Sequence, residues 1–259
     1  MDSVFFICGT KIIIFICIFV DMSILRSDMS DKKTTNKWIP IVVFYVIAVL
    51  IRAVTLKMGR PEVANISYFL KDWAQGAGPC IGALVAVLLF KRKFFCSITG
   101  TSAIKSVLSV AVPFVIVFFL QRELSYVLLG FIFYSFLEEV GWRGYLQGEL
   151  SDMKPFIRAI LIGVLWFLWH VDISFSWGGL IFLAILIFGA WGIGHIASDT
   201  HSLIACACFH TLYNFSTHGF FRFSPAVICL YVGVIVSWFL IWYVPWNIPN
   251  RKRKPKADL

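Results

Sequence analysis

The sequence predicts an all-α bundle of membrane-spanning helices, and three observations carry that prediction. Of its 259 residues 59% are hydrophobic and only 14% are charged, too few charges to cover the surface of a soluble domain of this length. The apolar residues gather into runs close to the ~20 that a helix needs to cross a bilayer. The net charge of +9 is concentrated in two short loops and the tail, as topology signals are. The same composition excludes a disordered chain, a collagen-like chain and a small disulfide scaffold.

The elements follow in order. Within the first 25 residues, positions 4–20 are apolar except for a few small or polar ones such as Lys11. They read as a ninth span, an uncleaved signal-like segment, or an extension upstream of a start at Met22 or Met29, and they lack a small-residue cleavage site. With the basic loop behind them they form an N-terminal segment, 1–37. Eight core spans are expected near residues 38–56, 77–90, 105–120, 124–146, 156–171, 178–197, 202–217 and 224–246. Together these make one domain over 38–246, followed by a basic tail, 247–259. No repeat and no soluble domain interrupts them.

Positive charge sets the orientation. Arg26, Lys32, Lys33 and Lys37 mark one loop, and Lys91, Arg92, Lys93 and Lys105 a second. Arg251 to Lys254 and Lys256 mark the tail. Eight spans place all three on one side, the cytoplasmic one, together with the turns near 151–155 and 199–201. The tail reads as a topology anchor, and nucleic acid is not expected as a partner because no folded domain accompanies it. The seven cysteines are odd in number, lie mostly in apolar runs and form no C-x-x-C pair, so they read as small buried hydrophobes. Cys206 and Cys208 precede His210, but two residues apart on a helix they face different directions, which disfavours a metal site.

Ionisable residues inside spans cost ~2.5–3.5 kcal/mol each at mid-bilayer and therefore need a partner or a task. The fourth run contains Glu138-Glu139-Val140-Gly141-Trp142-Arg143. Glu139 and Arg143 are four apart, share a helix face and can neutralise each other. Glu138 lies ~100° around the helix with no such neighbour, so another helix must meet its charge. His170 ends the fifth run, and His210 with Asn214 shares a face of the seventh. At ~1.5 Å per residue, Glu138, His170 and His210 all fall ~15 Å inside the same membrane face. His195 and His201 read as interfacial and His218 as loop. Asp172 either orients His170 or marks the span end, and Trp38, Trp242 and Trp246 suit an interfacial aromatic belt.

At these residues the sequence resembles the CAAX-protease and bacteriocin-processing group of intramembrane endopeptidases, which includes the Ras-converting prenyl proteases. The shared pattern is E-E-x-x-x-R, then a His closing an aromatic stretch, then H-x-x-x-N, here Glu138-Glu139 with Arg143, His170, and His210 with Asn214. Gly78-Pro79, as the opening of the second span, and Thr200-His201-Ser202-Leu203 also look like that group. The resemblance covers roughly residues 38–217 and is densest from 131 to 214. One departure is Trp166, where the group commonly has Phe four residues before the His; changed packing rather than lost chemistry is expected there.

The resemblance implies that Glu138 and His170 activate water for attack on a peptide carbonyl. It implies that His210 and Asn214 stabilise the oxyanion and that Glu139 and Arg143 support them from behind. It favours a metal-free mechanism, with Glu138, His170 and His210 as the ligands if Zn²⁺ is bound; the H-E-x-x-H helix of zinc proteases is absent from the sequence. The implied substrate is a membrane-associated peptide or protein in contact with the lipid bilayer, prenylated or not, cut near its C-terminus. Two rival functions remain, a non-enzymatic immunity or scaffold protein and a proton-coupled transporter. The latter lacks an internal repeat and a pair of broken helices.

Overall fold

The computed structural model describes residues 36–58, 68–171, 176–217 and 225–245. The N-terminal hydrophobic segment, Asp172, His218, Trp246 and the basic tail lie outside the described residues. Eight helical rods are present among the described residues: α1 (Trp38–Leu56), α2 (Tyr68–Phe90), α3 (Ala103–Leu120), α4 (Arg122–Glu139), α5 (Pro155–Trp169), α6 (Trp177–Thr200), α7 (Leu203–Thr217) and α8 (Pro225–Tyr243). The α4 rod does not stop at Glu139. It runs on through a π-helical stretch, Val140–Leu146, and a last turn, Gln147–Glu149. Five rods, α1, α2, α3, the full α4 rod and α6, are long and apolar enough to cross a membrane; α5, α7 and α8 are shorter apolar helices. An integral membrane protein follows from that composition.

Burial inverts the soluble pattern. Val42, Val46, Leu50 and Val54 form an exposed i, i+4 stripe along α1, and Phe119, Trp177 and Phe188 also point outward. In water this apolar surface would be a liability, whereas in a bilayer it faces lipid. The polar side chains Glu138, Glu139, Arg143, Gln147, His210 and Asn214 are instead buried inside the bundle. The α4 rod is the most buried of the five long helices and forms its axis.

Close backbone approach positions the neighbours of that axis. Gly78 and Gly82 of α2 face α1, where an added Cβ would stand 2.8 Å from the Ala48 carbonyl oxygen and 2.5 Å from that of Phe44. This is the small-x-x-x-small arrangement by which membrane helices pack in the absence of a hydrophobic driving force. On the other side of α2, Gly141 of the π stretch sits against Pro79, leaving only 2.5 Å between an added Cβ and the proline Cβ.

Two expectations are corrected here. The second helix spans Tyr68–Phe90 and so extends well ahead of the expected apolar core near 77, with Asp72 and Gln75 buried within the bundle. Gln75 is engaged by Arg52 of α1. Gly78-Pro79 therefore does not open the helix but lies in its interior. Trp242 is not interfacial: it is buried and donates from Nε1 to Ser109 Oγ at 2.7 Å, while Trp238 donates to the Ser109 carbonyl at 2.6 Å. Polar partners inside the bundle satisfy both indoles, which removes their reason to seek the headgroups.

Among the described residues, Lys37, the loop after α2 and the turns near 151–155 and 199–201, all expected on one side, are joined by contacts. Lys37 pairs with Asp152 at 2.5 Å, and Arg92 with Glu149 at 3.6 Å. The basic loop after α2 is laced to the α6–α7 turn by Ser97 N to His201 O (3.0 Å), Thr101 N to Thr200 O (2.9 Å) and Leu203 N to Ser97 O (2.9 Å). His201 takes the left-handed conformation (φ 49°) that ends α6. Ser202 then caps α7 by accepting from Ala205 N at 3.1 Å and touches Ser106 Oγ at 3.0 Å. That lacing fixes where α7 starts, and hence the height of His210 and Asn214.

Candidate active site

Four helices supply the site. Glu138 is the penultimate residue of α4 and is 2% exposed. The charge that lacked a neighbour on its own helix is met from α5, where Trp166 donates from Nε1 to Glu138 Oε2 at 2.8 Å. Tyr134, one turn earlier on α4, brings its side chain beside the same carboxyl.

His170 follows the end of α5, and its Nδ1 lies 2.8 Å from the Trp166 carbonyl oxygen. A carbonyl can only accept, so Nδ1 carries the proton and Nε2 is left as an acceptor. Phe182 of α6 closes edge-on against the His170 ring at 4.9 Å.

Glu139, fully buried, faces the other way. Its Oε1 meets His210 Nδ1 of α7 at 2.8 Å, and its Oε2 lies 3.4 Å from Arg143 Nε. The guanidinium of Arg143 is also fully buried and stacks over the Trp166 ring at 5.2 Å. Here the helix is π rather than α, and the turn that carries Arg143 is widened. The loop after α2 takes up one carbonyl from the widened turn, with Phe95 N donating to Gly144 O at 2.6 Å. The arrangement of Glu139 between Arg143 and His210 orients the His210 ring and leaves its Nε2 for another partner. Asn214, one turn on, is buried and donates from Nδ2 to Ser135 Oγ at 3.2 Å. Thr211 Oγ1 reaches the same Ser135 oxygen at 3.1 Å.

These groups open onto one cavity of about 480 Å³. Tyr134, Glu138, Trp166, His170, His210 and Asn214 form its polar end, and Phe182, Ile185, Leu186, Ile193, Phe209 and Phe239 line the apolar remainder. All four residues expected to be catalytic thus line a single cavity, while Glu139 and Arg143 stand behind it. Although Glu138, His170 and His210 share the cavity, no group of three or more His, Cys, Asp or Glu among the described residues is placed to hold a metal ion. Cys206 and Cys208 are buried and face different neighbours, Cys206 towards Cys96 and Cys208 towards the Ser109 carbonyl. Cys229 departs from the buried pattern and is exposed. His195 is exposed on α6, edge-on to Trp191 at 5.1 Å, and it reaches the cavity rim.

Sequence reasoning missed Tyr134, Ser135 and Arg52. Tyr134 and Ser135 stand four and three residues before Glu138, spacing that shares its face, but a hydroxyl in an aromatic run reads as packing. Arg52 is the clearer omission, a lone cation inside the first span. It stacks over Trp169 at 4.7 Å and is near enough for its charge to act on His170.

Comparison with known proteins falls on this same region. Residues 120–216 match the family described as Type II CAAX prenyl endopeptidase Rce1-like. CAAX prenyl protease 2 of Methanococcus maripaludis is 34% identical over 92 residues, covering 30% of this chain and 34% of that relative. The matched stretch thus spans about a third of the relative's own length. Across the segment that holds every motif residue, the chain is similar to the CAAX-protease and bacteriocin-processing group, as the motifs indicate.

Proposed function

We propose that the protein is an intramembrane endopeptidase that cleaves a peptide bond near the C-terminus of a membrane-associated substrate. The observation that carries this reading is the cavity itself, in which a buried carboxylate, an acceptor imidazole and two oriented donors converge. Glu138 takes the proton of a water as its oxygen attacks the carbonyl carbon, with the His170 Nε2 lone pair holding the second hydrogen. The carbonyl oxygen becomes an anion and is received by Asn214, held by Ser135, and by His210, which with Nδ1–H on the Glu139 carboxylate donates from Nε2 as the imidazolium. When the C–N bond breaks, Glu138 returns its proton to the leaving amine. No step passes through a metal.

The substrate end that fits is lipid-modified. Most of the cavity wall is apolar, and it lies within the membrane-spanning part of the bundle, where an isoprenoid chain would be at home. Purified protein in proteoliposomes should therefore hydrolyse a farnesylated C-terminal peptide faster than the same peptide without the lipid. Equal rates on both would contradict the prenylated substrate. Hydrolysis of the unmodified peptide alone would reverse the assignment.

A further inference from the structure

Resting on Glu138 as the base, we propose that Trp166 is the positioning residue of this site, setting the Glu138 carboxylate with its indole N–H and the His170 ring with its backbone carbonyl. The two contacts are both 2.8 Å and come from opposite ends of one residue. They fix the two groups that activate water relative to each other, although these groups belong to different helices. The indole is itself immobilised on every side. His210 meets it edge-on at 4.8 Å, the Arg143 guanidinium lies over it at 5.2 Å, and Trp142 packs at 6.2 Å. Trp166 is 4% exposed, so no water competes freely for its N–H.

The related pattern commonly has Phe at this position. A phenyl ring could keep the packing and the backbone carbonyl, but it has no N–H. The expectation of changed packing alone therefore undervalues the residue: in this chain the indole adds a charge-assisted hydrogen bond to the reacting carboxylate. A carboxylate freed to rotate is a base out of register, and misplacement on the ångström scale costs up to ~10²-fold in rate.

Trp166→Phe tests this in the full-length protein, assayed on the farnesylated peptide. The expected result is a fall in kcat of roughly 10- to 100-fold with KM little changed. A second readout needs no substrate. With ¹⁵N-indole tryptophan in detergent micelles, the Trp166 N–H resonance, assigned by its disappearance in Trp166→Phe, should move upfield in Glu138→Ala and part of the way in Glu138→Gln. Wild-type kcat in Trp166→Phe, beside an inactive Glu138→Ala, would overturn the positioning role and leave the proposed function standing. A Trp166 resonance unmoved by Glu138→Ala would overturn the hydrogen bond directly. Full activity in Glu138→Ala would instead sink the proposed function, and this inference with it.

Discussion

Two adjacent glutamates have opposite environments because one residue is ~100° of helix rotation. Glu139 turns to Arg143 and His210, and it is fully buried between them. Glu138 turns to the cavity, the Trp166 indole and the Tyr134 side chain. The roles should separate in mutants. Arg143→Ala leaves the buried Glu139 carboxylate with His210 alone, and removing one partner of a buried pair costs up to about 3–5 kcal/mol. Thermal unfolding in detergent should show that loss, whereas Glu138→Gln, which keeps volume and hydrogen-bonding capacity, should unfold near the wild-type temperature. Loss of an oxyanion donor in Asn214→Ala should lower kcat by about 10²- to 10³-fold, read from hydrolysis of the farnesylated peptide. These residues were legible because charge and imidazole inside an apolar run have few innocent explanations. Trp166 was not, since an indole's N–H looks the same in sequence whether it meets a carboxylate or nothing.

At the scale of elements, the π-helical stretch after α4 and the glycines around it do most of the positioning. The E-E-x-x-x-R spacing reads as an ordinary i, i+4 pair, and nothing in the sequence distinguishes the widened turn. What permits it is lateral: Gly141 lets α2 approach at Pro79, and Gly144 offers its carbonyl to Phe95. Gly141→Ala should therefore overpack the α2–α4 crossing and destabilise the protein by about 1–3 kcal/mol, measurable by thermal unfolding. Gly192 of α6 makes the opposite case. It lines the cavity, and an added Cβ there meets no atom within 4 Å. Gly192→Leu should leave stability nearly unchanged but slow cleavage of a farnesylated peptide, because the side chain grows into the apolar end. The start of α2 was misread for the complementary reason: buried polar residues satisfied by another helix are invisible to a reading of one run at a time.

For the whole molecule, helix order follows from hydropathy, and among the described residues the contacts of Lys37, Arg92 and Ser97 join segments that charge assigns to one side. The expected orientation puts that end in the cytoplasm. A fluorescent protein fused to the C-terminus should then glow and a phosphatase fused there should be inactive; the reverse would invert the topology. A metal-free mechanism predicts that activity survives extensive chelation, and loss of activity restored by Zn²⁺ would contradict it. The central claim is that Glu138 is the base of a peptide-bond hydrolase. Its most direct test is hydrolysis of the farnesylated peptide by wild type and Glu138→Gln reconstituted side by side, with folding of both checked by thermal unfolding. The folded variant should show a kcat lower by about 10²- to 10⁴-fold. Equal cleavage by the two proteins would contradict it.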